Sequence, residues 1–215
     1  MKKNKKVLLI IIASITATIV LLASVVGILE WRENKKEEQE REEEEVIDYP
    51  FYPADFERNI LEDEDYLELM RGRFLYYCDS YTNITVSTTP ETAAQHGEDV
   101  KFLVDYIYTI IHGDHEAYNR CFSDLYYDSG KAPKNAFTMQ QLHHIVLTKI
   151  STESVSENGN NYTKLLYSVE YQIHENNGTF RRDIGDGSKP QYMVITNRSG
   201  QWKIDSISTV KLKVQ

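Results

Sequence analysis

The feature that most constrains this chain is Val7–Leu29, a run of 23 residues without a single charge, dominated by Val, Ile, Leu and Ala. At 1.5 Å rise per residue a helix of that length spans about 34 Å, enough to cross a hydrocarbon core of about 30 Å. A cleaved signal peptide has a shorter apolar core and an Ala-x-Ala-like site. This run instead closes on Ala23-Ser24-Val25-Val26-Gly27-Ile28-Leu29-Glu30, with no such site and no cysteine near its end for a lipid anchor. Residues 7–29 are therefore expected to form an uncleaved transmembrane signal anchor. Lys2, Lys3, Lys5 and Lys6 make residues 1–6 a cytoplasmic tail, so everything from Glu30 onward is expected outside the cytoplasm, with Trp31 at the far interface. Ala13, Ala17, Ala23 and Gly27 give small residues four apart, the spacing of close helix approach, but such pairs are ordinary in any Ala-containing span.

Charge is segregated around that run. The whole chain holds 24 Lys plus Arg against 33 Asp plus Glu in 215 residues, and beyond the span 20 basic residues face all 33 acidic ones. So acidic a chain is a poor polyanion binder, because neutralising phosphates needs clustered cations, and no nucleic-acid partner is expected. Two cysteines exclude a disulfide framework or a Cys-rich zinc module. Residues 30–46 read as a charged stalk: Arg32 to Glu45 contains no aliphatic or aromatic residue, and pairs such as Glu37 and Arg41 favour helix. With no apolar seam it is a solvated spacer and not a coiled coil, lifting the rest of the chain roughly 20 Å off the bilayer if fully helical.

Residues 47–90 form a lead-in. Pro50 and Pro53 break the helix. Tyr66, Leu67, Met70, Phe74, Tyr77, Cys78 and Tyr81 then fall at three-and-four spacing, which predicts an amphipathic helix. Thr85 to Pro90 reads as a loop or short edge strand.

The main domain spans 91–215. Asp99 to His112 carries one apolar face and stops at Gly113. Asp114 is placed to cap a second helix that would bury Ala117, Tyr118, Cys121, Phe122 and Leu125. Thr138 is placed to cap a short third helix through Gln140, Gln141 and Leu142. The period then changes to two. Ile145–Glu157 is expected as a first strand, and from Thr163 the residues Leu165, Tyr167, Val169, Tyr171 and Ile173 share a dry face. Asn176-Asn177-Gly178 is expected to turn a hairpin into Thr179–Ile184, with Gln191–Asn197 and Gln201–Val210 after it. The fold class is α+β, with helices packed in a curved, cone-shaped antiparallel sheet of four strands.

Two stretches carry a family resemblance: Gly113-Asp114-His115-Glu116-Ala117-Tyr118 after a long helix, and Tyr192-Met193-Val194-Ile195 followed by Gly200-Gln201-Trp202-Lys203-Ile204-Asp205. Residues 91–212 resemble nuclear-transport-factor-two-like (cystatin-like α+β cone) domains. The resemblance implies a cone interior between sheet and helices, where enzymes of this fold hold a carboxylate or histidine. Tyr167, Tyr171, Trp202 and Tyr108 are the candidate cone-lining residues. The dry face from Thr163 to Ile173 offers no ionisable base, since Lys164, Glu170 and His174 lie on the other face, and Asp105 reads as part of a solvated helix face. No catalytic residue and no cofactor is assigned.

No metal site is assigned either. His112 and His115 are separated by Gly113-Asp114, and His143 and His144, being adjacent, are expected to point apart. Asp183, Asp186 and Gly187 lack the remainder of a calcium loop. Cys78 and Cys121, each expected on an apolar helix face, either pair to staple the lead-in to the domain or remain buried thiols. Asn-x-Ser/Thr sequences at Asn83, Asn161, Asn177 and Asn197 are read as chance in a chain whose Lys-rich start and single-span plan look bacterial. Fifteen tyrosines hint at a binding surface.

The expected function is a membrane-anchored, non-catalytic binding or assembly module with a protein partner or a second copy of itself. In plan it is similar to the bitopic assembly subunit of type IV secretion and conjugation machines. The alternatives are a sensor or carrier for a small apolar ligand held in the cone, and an enzyme of the isomerase, dehydratase or hydrolase kind.

Overall fold

The computed structural model describes residues 51–71, 74–157, 159–185 and 187–210. The expected anchor at 7–29 and stalk at 30–46 lie outside them. Among the described residues no helix is long and apolar enough to cross a membrane. In chain order the elements are α1 (Glu64–Arg71), β1 (Leu75–Asp79), β2 (Ile84–Ser87), α2 (Glu98–Ile111), α3 (His115–Arg120), α4 (Asp124–Asp128), β3 (Leu142–Glu157), β4 (Asn160–Ile173), β5 (Gln191–Thr196) and β6 (Lys203–Ser208).

The architecture is α+β, built on one curved sheet with the order β2-β1-β3-β4-β5-β6. It has six strands, not the four expected. Strands β3 to β6 form the antiparallel meander legible in the sequence. The two additional strands come from the lead-in: β1 pairs with β3 in parallel, Leu75 opposite Ile145, and β2 returns antiparallel along β1. The three-and-four spacing from Tyr66 to Tyr81 is helical only as far as Arg71; Tyr77 and Cys78 are strand residues. The reason is burial. As a strand, β1 puts Leu75 and Tyr77 into the common core at 1% and 5% exposure, and each buried side chain of this size stabilises by about 1.5–3 kcal/mol. The described part of the lead-in thus belongs to the same compact unit as the rest of the sheet.

Helix α2 is the internal helix. Val100, Leu103, Val104, Ile107, Ile110 and Ile111 are all fully buried, against the sheet's Leu147, Tyr167, Val169, Met193, Ile195 and Ile204. Gly113 ends the run with φ 68°, and the chain passes so close there that a Cβ would sit 3.0 Å from the Phe137 oxygen and the Met139 nitrogen. Asp114 caps α3 as expected, its carboxylate accepting from the Ala117 N–H at 2.8 Å.

Two expected elements are absent, for one reason. Thr138 starts no helix and Thr179–Ile184 is no strand, because their polar groups bind one another. The Thr138 hydroxyl meets Thr179 Oγ1 at 2.9 Å and also Asn177 Nδ2. Asn176 Nδ2 donates to the carbonyls of Arg181 and Ile184. Gln140 Nε2 donates to the Thr138 carbonyl at 2.8 Å. Side-chain amides do here what a ladder or a helix would otherwise do for the backbone. In place of the Thr138 helix there is α4, capped by Ser123. It leaves Leu125, expected in the core, 49% exposed.

Candidate functional site

The expected cone-lining residues are mostly filling. Tyr167 and Tyr171 expose nothing, and Trp202 and Tyr108 are half-buried against the same core. The Tyr171 hydroxyl accepts from Gln191 Nε2 at 2.9 Å. Rings cluster in the interior: Tyr118 lies 5.4 Å from Tyr106, 5.0 Å from Phe122, and 5.6 Å from both Phe137 and Phe180. Two of the fifteen tyrosines, Tyr106 and Tyr118, belong to this cluster.

One buried charge cluster exists that sequence reading missed. Asp99, in the first turn of α2, accepts on Oδ2 from the Tyr167 hydroxyl at 2.6 Å and from Lys149 Nζ of β3 at 2.6 Å. Burial pushes the Lys149 ammonium down, but the Asp99 hydrogen bond and charge outweigh it and hold it above its ordinary value. Burial, then the Asp99 charge, drives the Tyr167 phenol far up. Tyr77 lies below the ammonium at 5.8 Å, its phenol raised by burial against the opposing pull of Lys149. A carboxylate engaged through Oδ2 by an ammonium and a phenol, with little exposed surface, clamps α2 to the sheet. Asp105 faces solvent, paired with Lys101 at 2.5 Å.

The histidines depart from expectation. A register shift follows His143, and His144 has φ 47°, which rotates its ring back. The two Nδ1 atoms come within 2.5 Å instead of pointing apart, with His174 ring-to-ring 6.0 Å from His143. Among the described residues no group of three or more His, Cys, Asp or Glu is placed to hold a metal ion. Asp183 is taken by Arg181, at 2.6 Å. Both cysteines are free. Cys78 lies on β1 and not on a helix, while Cys121 follows α3 and abuts β6. Four strand steps of about 4.8 Å separate β1 from β6 along the sheet, far beyond disulfide reach. Burial pushes the Cys121 thiol up to about 11, which keeps it a protonated, inert thiol.

The surface offers a more specific feature. Phe51, Tyr52 and Phe56 expose 43%, 46% and 63% of their area within six residues. They are held rather than loose. The Tyr52 N–H donates to the Asn176 carbonyl at 2.8 Å. Arg58 bridges Asp63 and Glu175, each at 2.5 Å. The Glu175 hydrogen bond in particular raises the guanidinium above its ordinary value. Phe51 and Tyr52 form one wall of an open groove of about 600 Å³, and Asn177, Gly178, Thr179 and Arg182 the other. Gly178 holds φ 67°, a backbone conformation that favours glycine, and lies beside the Phe51 ring. The groove pairs aromatic area with amide, hydroxyl and guanidinium donors, and its described lining holds no carboxylate, histidine or thiol. Aromatic rings beside such donors are the side-chain types that bind partners. The sequence reading used this segment only as a helix break; three aromatics within six residues beside two prolines were the available signal.

The chain matches no protein-family model, no curated protein and no solved structure.

Proposed function

We propose that this chain is a membrane-anchored binding or assembly module whose α+β domain, of the nuclear-transport-factor-two-like kind, stands outside the cytoplasm and grips a protein partner through the Phe51–Phe56 strip. The observation that carries the reading is the strip itself: three exposed aromatics, fixed by backbone and ion-pair contacts, beside an open groove. Aromatic side chains with few rotatable bonds supply contact area at low entropic cost, the composition of binding hot spots. The anchor and its orientation rest on the uncharged run 7–29 and on the lysines before it. The accessory-subunit role in a secretion or conjugation machine rests on plan alone: short tail, one span, stalk, then this domain. Full burial of Tyr167 and Tyr171 weighs against the carrier and enzyme alternatives, which need those rings to border an accessible space.

The test places a photo-crosslinking residue at Phe56 in the full chain in its own membranes. A discrete adduct that disappears with Phe51→Ala/Tyr52→Ala supports the reading. Adducts that form equally without those rings would overturn it. Labelling of a cysteine introduced at Ser188 by an impermeant maleimide on intact cells tests the orientation: no labelling until the cells are opened removes the extracytoplasmic assignment.

A further inference from the structure

Among the described residues β2 is an edge strand, with β1 as its neighbour in the sheet. The Thr88 N–H donates to the Leu75 carbonyl at 3.0 Å, and the register places Val86 opposite Tyr77 and Ile84 opposite Asp79. Antiparallel alternation then turns the backbone groups of Ile84 and Val86 toward β1 and those of Thr85 and Ser87 outward. These outward groups are symmetric about Val86.

Edges are ordinarily blunted by charge, proline, a bulge or a covering segment. Residues 80–89 read Ser-Tyr-Thr-Asn-Ile-Thr-Val-Ser-Thr-Thr, without a charge, in a chain that is 27% charged. The β1–β2 register runs without a bulge. Tyr81 and Ile84 are 67% and 48% exposed. The hairpin that presents this edge is rigid, since the Asp79 carboxylate accepts from the N–H groups of Tyr81 at 2.8 Å and Thr82 at 3.3 Å.

We propose that β2 pairs antiparallel with β2 of a second copy about a two-fold axis at Val86, joining two six-stranded sheets into one of twelve. Thr85 exchanges both backbone hydrogen bonds with the partner's Ser87, and Ser87 does the same with the partner's Thr85. Val86 meets the partner's Val86 on the core-facing side, flanked by Ile84 of each copy, while Thr85 and Ser87 line the other side. Charge sets where two copies can meet: the chain carries a net charge of −9, and β2 is an edge on which neither copy presents a charge. The symmetry of the outward groups supplies the rest, because a two-fold contact must be self-complementary. The inference needs neither the membrane anchor nor the aromatic strip, so Phe51→Ala/Tyr52→Ala should leave self-association unchanged even where it abolishes the adduct at Phe56.

The experiment uses the full chain in mild detergent. Cα atoms of a facing pair without mutual hydrogen bonds lie about 4.5 Å apart, within disulfide range, so Val86→Cys should give a covalent dimer on oxidation. Ile84→Cys should stay at the background of the parent chain, because its own counterpart lies four residues along, about 13 Å away. Thr85→Pro removes an outward donor without touching the β1 ladder and should weaken dimerisation at least tenfold by sedimentation. If Val86→Cys does not fold, mixing Thr85→Cys chains with Ser87→Cys chains reads the same register. A monomeric parent chain, equal crosslinking at 84 and 86, or a dimer indifferent to Thr85→Pro would each overturn the proposal.

Discussion

The two edges of the sheet are finished differently. On the β6 side the chain folds back on itself: the Ile204 N–H donates to the Cys121 carbonyl at 2.8 Å, the Ser123 N–H donates to the Ile204 carbonyl at 3.0 Å, and Phe122 bridges to Ile204 in parallel. Charge completes the protection, with Lys203 and Asp205 on that strand. Among the described residues the β2 side has no covering segment, and the strand carries no charge. An edge closed from within costs the molecule a stretch of ordered loop. An edge left open keeps a row of backbone donors and acceptors available to another chain.

The comparison can be broken most forcefully at Phe122. Phe122→Ala removes a buried ring (6% exposed) that packs on Tyr118 at 5.0 Å and Tyr126 at 4.3 Å, and it should cost about 3–5 kcal/mol in denaturant unfolding. It should also speed hydrogen exchange at the Ile204 amide, and unchanged exchange there would show that the edge is closed by other means. Next is Lys149→Met, beside β1. It leaves the Asp99 carboxylate without its counter-charge and should cost about 3 kcal/mol, most of it recovered by a second change, Asp99→Asn. If the single change is as stable as the double, the clamp is not electrostatic. Asp114→Ala, which uncaps α3 on the way to the closed edge, should cost about 1 kcal/mol. Thr196→Val, which removes the hydroxyl donated to Asp205 at 3.1 Å, should cost about 0.5–1.5 kcal/mol.

Acid sharpens the comparison on the open side. Burial pushes the Asp79 carboxyl up, but the N–H groups of Tyr81 and Thr82 and the Tyr77 hydroxyl hold it below its ordinary 3.8. A depressed carboxyl contributes stability that is complete above its unfolded value and is lost as pH falls through the folded one. Acid titration below pH 3.8 should therefore weaken the β1–β2 hairpin. Asp79→Asn should flatten that part of the profile and lower stability at neutral pH; an unaltered acid limb would refute the assignment.

Legibility in the sequence tracks the range of the forces that fix each element. The α2 face and the β4 alternation are written into neighbouring residues, and both appear where expected. So does the Asp114 cap. Strand β1 is different. Tyr66, Met70, Phe74, Tyr77 and Tyr81 satisfy a helical period, but the state of Tyr77 is decided by β3, whose Leu147 lies 70 residues on. Thr138 carries a capping residue's chemistry, yet Asn177 and Thr179 claim its hydroxyl from across the fold. At the site, Tyr167 and Tyr171 were visible as inward residues. Asp99 was hidden, because an acid in a helix's first turn already has a local explanation in the dipole, and nothing local marks Lys149 as its partner.

The parallel pairing of β1 with β3 also sets a clock. The β1–β2 hairpin needs only its own turn and can form within microseconds, whereas Leu75 must wait for Ile145, and the whole of α2, α3 and α4 intervenes. During synthesis at roughly 5–20 residues per second, residues 75–87 wait several seconds for β3, and until it arrives the isolated hairpin is only marginally stable. Chaperone protection in that interval, more than final stability, should decide how much of this chain reaches its folded form.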